Sequence, residues 1–384
     1  MRYGLALGIA LNLVLIATPN ANAAPLPKAT QKALDDLKLD ASVLGNLDAE
    51  LNVPKAWLDD AAKEGPVVIL GTWRDAEFRR MNEVFKERYP AVKLAYTRAG
   101  TAARGIKVVL ALREGRVIAD ILTSPTDSYL QLKKLGALAD MRELPGYANM
   151  TSDLVADDGT WASYKLAFRC MSYNTKQFNK ADLPKTWDDL LTNPAWRGGK
   201  LALSNHPDTW LLALWASKGE AWGANFTRRL FTEVVPQQRK EGMMAVTALT
   251  VAGEFQANIP APERRAEEYA DKGAPIGYHC PEPVPVTLSQ IVMLDKGPHK
   301  NGARLFVNWL LSAEGQILQY QTSTSVPSHK GLQQSRFIPF ADTIVGKPHV
   351  VRDDDLLGSD IGKAMMKSWM TYWTQPVEAG KEED

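Results

Sequence analysis

The sequence predicts an α/β protein built from two domains. Short apolar runs, such as residues 67–70, alternate with segments in which apolar residues recur every three to four positions, as in residues 76–89. Strands and helices that alternate through short connections are typical of a largely parallel sheet covered by helices. The 384 residues also exceed one ordinary hydrophobic core, so we expect two domains.

The N-terminus has the three parts of a secretory signal peptide. Arg2 provides a charged start, an apolar run extends from Tyr3 to Ala17, and Ala21-Asn22-Ala23 has the small-x-small pattern of a cleavage site. The alternative is a membrane anchor, but the apolar run is shorter than the roughly 20 residues that a spanning helix requires. We therefore expect cleavage after Ala23 and a soluble mature chain in the periplasm.

The first α/β unit follows a polar, alanine-rich segment at residues 24–53. The spacing of apolar residues predicts helices that end at Gly65 and at residue 89, and further helices near residues 106–112 and 128–135. Aliphatic runs between these helices predict the strands of this unit, at residues 67–70, 92–96 and 120–124.

A second α/β unit begins after the segment DGTWASYKLAFRCMSYNT, residues 158–175. Tyr164, Leu166, Phe168 and Cys170 occupy alternate positions in this segment, which predicts a strand. The remaining expected elements are helices over 186–191, 209–217, 228–235 and 243–253, strands over 199–204 and 274–280, an extended run at 281–288 and a helix pair at 299–320.

Charge and motifs argue against several classes of function. The 45 Lys and Arg residues nearly balance the 44 Asp and Glu residues and are interspersed with them, so nothing favours nucleic acid or an anionic membrane as a partner. The sequence lacks the catalytic patterns G-x-S-x-G, S-x-x-K and H-E-x-x-H, and Ile106 stands where a phosphate-binding loop after Gly100 would require lysine. The five histidines occur singly. We therefore expect neither an enzyme nor a cofactor.

Five stretches, taken in order, resemble the extracellular solute-binding proteins that serve ABC importers, in particular the family 1 proteins related to the periplasmic ferric-ion binders. The resemblance covers roughly residues 57–331, and its stretches are AAKEGPVVILGTWRDAEF, ADILTSPTD, DGTWASYKLAFRCMSYNT, DLPKTWDDLLTNPAWRGGKLAL and PHKNGARLFVNWLLSAEGQ. It implies a type II periplasmic-binding-protein-like fold, in which two α/β lobes joined by crossing hinge strands close over one small molecule. It also implies a monomer that docks to an ABC permease in the inner membrane.

The resemblance also suggests where the domains begin and end. The crossing strands divide the chain, so each lobe is formed by two separate segments. The expected divisions are a signal peptide at 1–23, an N-terminal helical extension at 24–62, a first lobe at 63–167 plus 283–328, a second lobe at 168–282 plus 329–375, and a polar tail at 376–384.

The candidate ligand-binding residues follow the predicted strands, because ligands of open α/β sheets bind outside the carboxyl ends of the strands. The helix start at residues 100–102 offers free backbone N–H groups to an anion, and Arg74 could bind a carboxylate or phosphonate in bidentate fashion. The alternatives are that Thr101 only caps a helix and that Arg74 pairs only with Asp75 or Glu77. The full candidate set is Trp73, Arg74, Gly100, Thr101, Ala102, Thr123, Ser124, Tyr164, Asp208, Thr209 and Glu282.

The chain departs from the ferric-ion binders at the position that matters most for iron. Those proteins present two adjacent tyrosines from the second lobe, because a hard trivalent cation prefers phenolate and carboxylate oxygens. This sequence contains no Tyr-Tyr pair. We therefore expect the substrate-binding component of an ABC importer for a small organic anion, a carboxylate or a phosphonate. The alternatives are a ferric or other metal-ion-binding protein of the same family, and a secreted hydrolase on a two-lobed scaffold.

The two cysteines lie in the segments that the resemblance identifies as crossing strands. YKLAFRCMSYNT would leave the first lobe, and APIGYHCPEPVPV would return to it. Neighbouring strands can bring Cys170 and Cys280 within the distance that a disulfide requires, and the periplasm is oxidising. We therefore expect a Cys170–Cys280 disulfide, the alternative being two buried, unpaired thiols.

Overall fold

The computed structural model describes residues 26–344, 346–352 and 358–374, and it confirms the predicted α/β class. The predicted signal peptide and polar tail lie outside the described residues. Among the described helices, none is long and apolar enough to cross a membrane.

The helices are α1 (Lys28–Asp36), α2 (Leu47–Glu50), α3 (Lys55–Ala61), α4 (Asp75–Arg88), α5 (Lys107–Arg113), α6 (Ser128–Lys134), α7 (Asp189–Thr192), α8 (Leu211–Lys218), α9 (Glu220–Arg229), α10 (Met243–Ala252), α11 (Glu263–Ala270), α12 (Lys300–Leu311), α13 (Ala313–Ser323) and α14 (Asp360–Tyr372). The strands are β1 (Val67–Gly71), β2 (Leu94–Arg98), β3 (Ile121–Thr123), β4 (Ala162–Asn174), β5 (Leu201–Ser204), β6 (Gln237–Arg239), β7 (Ala257–Pro262), β8 (Ile276–His279), β9 (Val284–Met293) and β10 (Pro348–Val350).

The strands follow the order β2-β1-β3-β9-β4-β7-β5-β6, with β10 paired to β9 and β8 paired to β4. The pairs β1–β2 and β1–β3 in one half, and β5–β6 and β5–β7 in the other, are parallel. The central pairs β3–β9, β9–β4 and β4–β7 are antiparallel. This arrangement gives two parallel α/β units that are joined through β4 and β9.

Strand β4 belongs to both units and carries the chain from one to the other. Its first part, from Ala162 to Phe168, pairs with β9, and its second part, from Arg169 to Asn174, pairs with β7 and β8. The alternation of apolar residues that predicts this strand continues across the junction, so one side of β4 stays buried along its whole length. The predicted crossing hinge strands are therefore present.

Each lobe has its own hydrophobic core. In the first lobe, the rings of Phe85 and Trp309 lie 5.6 Å apart between α4 and α12. In the second lobe, Trp187 and Trp210 lie 5.1 Å apart, and Trp369 of α14 is buried in the same cluster. The last described helix therefore packs onto the second lobe after the chain has passed β10.

The N-terminal extension packs against the first lobe. Thr30 Oγ1 of α1 donates a hydrogen bond of 2.7 Å to Glu314 of α13. Glu314 is fully buried, and its carboxylate also accepts hydrogen bonds from Arg88 and from Trp309 Nε1. Leu332, which lies after α13 in the chain, packs in one hydrophobic cluster with leucines of the extension. The extension therefore contributes to the stability of the lobe instead of trailing from it.

The structure confirms the disulfide between Cys170 and Cys280. Their Cα atoms are 5.0 Å apart, and both residues are fully buried. The bond lies where β4 enters the second lobe beside β8, next to the cross-strand pair Met171 and His279. It therefore ties the outgoing strand to the chain that returns 110 residues later.

Candidate ligand-binding cleft

A cavity of about 360 Å³ lies between the two lobes, and the hinge strands form its floor. On β4, Lys165 and Arg169 face the cavity, whereas Leu166 and Phe168 between them are buried on the opposite face. This follows from the two-residue period of a strand. The neighbouring strand β9 contributes Ser289, which pairs directly with Lys165. A solute on this floor would contact the strands that connect the two lobes.

The first lobe supplies one wall of the cavity from the carboxyl ends of its strands. Thr72 and Arg74 follow β1, Glu77 lies in the first turn of α4, and Arg98 is the last residue of β2. This is the edge at which open α/β sheets bind ligands.

The second lobe supplies the opposite wall from the beginnings of two helices. Met243 and Met244 begin α10, and Glu263 and Arg264 begin α11 directly after β7. Together with α4 of the first lobe, three helices thus begin at the cavity. The N-terminal end of a helix carries a partial positive charge. The first turns of α4 and α11 already hold the carboxylates Glu77 and Glu263, whereas the first turn of α10 holds no acidic residue and favours an anion there.

Basic side chains outnumber acidic ones in the cavity by six to two. This excess is local, because the whole chain has a formal net charge of only +1. The acidic residues are Glu77 and Glu263, and the basic residues are Arg74, Arg98, Lys165, Arg169, Arg264 and Arg265.

Both carboxylates of the cavity are engaged by arginine. Arg74 Nη2 lies 2.8 Å from Glu77 Oε1, and Arg169 Nη1 lies 2.8 Å from Glu263 Oε2. Burial raises the pKa of Glu263, although the positive charge of Arg169 acts in the opposite direction. These carboxylates are therefore poor candidates for capturing a cation.

Lys165 differs from these arginines. Its Nζ lies 5.6 Å from the ring centroid of Tyr164, and it forms no ion pair with any residue that the structure describes. An amino group that is half-buried on the cavity floor and not neutralised by a carboxylate is suited to bind an anionic group of a solute.

The predicted residues Trp73 and Tyr164 lie beneath the cavity, and both are fully buried. Trp73 Nε1 donates to Gln319 Oε1 at 2.5 Å, and the Tyr164 hydroxyl lies 2.9 Å from Thr72 Oγ1. Their rings are 5.0 Å apart. Tyr164 thus holds Thr72 in place at the cavity wall, and neither aromatic side chain has exposed surface for a solute.

Five predicted residues form a pair of adjacent loops in the first lobe. Arg104 links the loops, because it donates to the carbonyl of Ser124 at 2.9 Å, to the carbonyl of Ala99 at 2.6 Å and to Thr101 Oγ1 at 3.1 Å. Thr123 Oγ1 accepts from the backbone N–H of Thr72 at 3.0 Å, which places these loops next to the cavity wall. The lining residues of the cavity do not include this group, which consists of Gly100, Thr101, Ala102, Thr123 and Ser124.

The remaining predicted residues lie in or near the second lobe. Asp208 and Thr209 form a short turn before α8. Burial raises the pKa of Asp208, while the charges of His206 and Arg169 lower it. Glu282 is exposed, and its backbone N–H donates to the carbonyl of Lys185 at 2.9 Å. Of the predicted set, only Arg74 lines the cavity.

Sequence reasoning misses most of the cavity's cations, although two signals could have found them. Lys165 and Arg169 alternate with the apolar residues that predict β4, so they had to share the opposite face. Arg98 lies just beyond the strand predicted at residues 92–96, where ligands of open α/β sheets bind. Arg264 follows β7, whose two prolines at positions 260 and 262 hide the strand pattern.

In the described parts of the chain, no group of three or more His, Cys, Asp and Glu side chains is arranged to hold a metal ion. The cavity lining includes neither tyrosine nor histidine among the described residues. Its chemistry is that of guanidinium, ammonium and hydroxyl donors, which bind anions.

Two α/β lobes, crossing strands between them and a cleft lined from both sides are the architecture of two-lobed solute-binding proteins. Residues 81–344 match the family of bacterial extracellular solute-binding proteins, and the chain belongs to this family. Members of this family bind small molecules for ABC importers, so the resemblance noted in the sequence is confirmed. Comparison with curated protein sequences finds no match.

Solved structures of the same fold have been obtained with different solutes. Iron-bound HitA from Pseudomonas aeruginosa is 20% identical, with a TM-score of 0.64, and the match covers 79% of this chain and 98% of HitA. FutA from Trichodesmium, in complex with iron and citrate, is 16% identical, with a TM-score of 0.65 and coverage of 81% and 100%. AfuA from Actinobacillus pleuropneumoniae, with bound fructose-6-phosphate, is 18% identical, with a TM-score of 0.59 and coverage of 80% and 98%. At these identities the similarity establishes the fold and leaves the solute open.

Proposed function

We propose that this protein binds a small organic anion, a carboxylate or a phosphonate, in the cleft between its lobes and delivers it to an ABC permease. The observation that carries the proposal is the charge of the cavity, in which six basic side chains face two carboxylates that are already paired. An anion there would meet the ammonium of Lys165 and the start of α10, whose first turn holds no acidic residue. We further propose that the protein acts in the periplasm as a monomer and does not catalyse a reaction.

The size and lining of the cavity support an organic solute. A volume of about 360 Å³ falls within the range of small-molecule sites, which runs from about 300 to 1,000 Å³. Met243, Met244 and Pro262 give one side of the cavity an apolar surface. A solute with an anionic end near Lys165 and a short carbon body toward the methionines would match both parts.

The chemistry of the cavity argues against ferric iron. HitA and FutA are related in fold and hold iron, but a hard cation requires oxygen ligands that are free to coordinate it. Here Glu77 and Glu263 are held by arginines, and the surrounding positive charge repels a cation. The sugar phosphate of AfuA shows that this fold also accommodates anionic solutes.

Binding would act through closure of the lobes. A solute that touches both walls and the floor binds the closed form better than the open form, and it therefore shifts the equilibrium toward closure. Lys165 and Arg169 are well placed for this coupling because both project from the strand that connects the lobes.

Calorimetric titration with a panel of phosphonates, phosphate esters, di- and tricarboxylates and ferric citrate tests the proposal. We expect at least one organic anion to bind one-to-one, and mass spectrometry should recover it chemically unchanged. Binding of iron without dependence on an organic anion would contradict the proposal, and so would conversion of the solute into a product.

A further inference from the structure

Glu77 lies in the first turn of α4, where the first lobe meets the cleft. Its Oε1 accepts a hydrogen bond of 2.9 Å from Arg74 Nε, and its Oε2 accepts one of 2.8 Å from the backbone N–H of Arg74. The side chain of Glu77 is only 9% exposed, whereas that of Arg74 is 51% exposed. The carboxylate is therefore fixed in its own lobe and faces a cleft rich in cations.

Arg264 reaches this carboxylate from the opposite lobe. Its Nη1 lies 3.5 Å from Glu77 Oε1 and donates to the carbonyl of Ser323, at the end of α13 in the first lobe, at 3.2 Å. Within its own lobe, Arg264 Nε lies 3.6 Å from Glu268. One guanidinium thus contacts two groups across the cleft and one carboxylate on its own helix.

We propose that Glu77 serves as a built-in anion of the empty cleft, which bridges Arg74 of the first lobe and Arg264 of the second and holds the lobes together without a solute. We call the Glu77–Arg264 contact the interlobe bridge. A partly exposed ion pair shifts an open–closed equilibrium by up to about fivefold. The bridge connects the two lobes that separate on opening, so its full interaction free energy contributes to the open–closed equilibrium.

The bridge has a consequence for the choice of solute, and this consequence rests on the proposed function. The anionic group of a solute has to compete with Glu77 for Arg264. Because Glu77 belongs to the same chain, its effective concentration at Arg264 is high. A doubly charged phosphonate or phosphate therefore competes better than a single carboxylate, since charge-assisted bonds to its oxygens are stronger and more numerous.

Small-angle X-ray scattering tests the interlobe bridge on the full mature protein, stripped of solute by reversible unfolding. Glu77→Gln removes the charge but keeps a side chain that can accept the backbone N–H at the start of α4. Arg264→Gln removes the other partner. Glu268→Gln is the matched control, because Glu268 pairs with Arg264 only within the second lobe.

We expect Glu77→Gln and Arg264→Gln to have a larger radius of gyration than the wild type at low salt, and Glu268→Gln to match the wild type. Sodium chloride at about 1 M, where the Debye length is about 3 Å, should expand the wild type and leave Glu77→Gln unchanged. A Glu77→Gln variant as compact as the wild type would overturn the proposal, as would a Glu268→Gln variant that opens to the same extent. Since no solute is present, this result is independent of whether an organic anion binds.

Discussion

At the scale of single residues, Lys165 lines the cavity floor without a carboxylate partner among the described residues. It projects from β4 beside Ser289 of β9, and no described carboxylate pairs with it. Partial burial of an unpaired charged amino group is unfavourable, and an anionic solute that pairs with it would offset this cost. Arg169 on the same face is already committed to Glu263, so the two cations have different roles.

Replacing Lys165 by methionine should weaken binding of the anionic solute by about 1.5–3 kcal/mol, the range for a hydrogen bond to a charged group. This corresponds to a loss of roughly 10- to 150-fold in affinity. Calorimetry on the anion identified in the panel measures the change. Lys134→Met removes an exposed lysine of α6 and should leave the affinity unaltered. Equal affinities for Lys165→Met and the wild type would place the anion elsewhere in the cleft.

Glu267 on α11 should make the stability of the fold depend on pH. Burial raises the pKa of its carboxyl group to about 7, and the charges of Asp271, Glu263 and Glu268 add to this effect. The folded protein therefore binds this proton more tightly than the unfolded chain, whose pKa lies near 4.5. The contribution of Glu267 to the free energy of unfolding is thus greatest below about pH 4.5 and falls as the pH rises to about 7.

Denaturant unfolding between pH 5 and 8 measures this dependence. Glu267→Gln should be more stable than the wild type at pH 8, and the difference should shrink toward pH 5. Glu233→Gln is a useful comparison, because Arg229 lowers the pKa of Glu233 and its loss should bring no gain at pH 8. A constant difference between Glu267→Gln and the wild type at all pH values would show that Glu267 does not titrate in this range.

At the scale of elements, the buried face of β4 could be predicted from the sequence, whereas the residues that line the cleft could not. The alternation of Leu166, Phe168 and Cys170 predicts the strand and its buried face, because that pattern depends on neighbouring residues alone. Which residues face the cleft depends also on α10 and α11, which form its opposite wall and lie far from β4 along the chain. For the same reason, position after a strand does not reveal that Trp73 turns into the core while Arg74 turns toward the cavity.

The disulfide should stabilise the junction of β4 and β8 by restricting the unfolded chain. In the chain-entropy model, closing a loop of this length contributes up to about 4.7 kcal/mol, since the bonded cysteines are 110 residues apart. The double variant Cys170→Ala, Cys280→Ala should lower the free energy of unfolding by an amount up to this value, as measured in urea. Unfolding of the wild type in reductant should approach the curve of the variant. Coinciding curves for the variant and the oxidised wild type would contradict an effect on stability.

At the scale of the whole molecule, the fold gathers basic side chains in the cleft, although basic and acidic residues nearly balance in the sequence. The formal net charge is +1, yet six cations from both lobes and the hinge meet in one cavity. These cations lie between Arg74 and Arg265 in the sequence, and only the pairing of β4 with β9 and β7 brings them together. Composition alone therefore gives no sign of an anion site, whereas the assembled cleft does.

A crystal structure of the protein with the tightest-binding anion of the panel tests the central claim most directly. We predict density for the anion in the 360 Å³ cavity, with an anionic oxygen within hydrogen-bond distance of Lys165 Nζ and further contacts from both lobes. An anion bound outside the cleft would contradict this account. So would a cleft filled by a metal ion that is coordinated by Glu77 or Glu263.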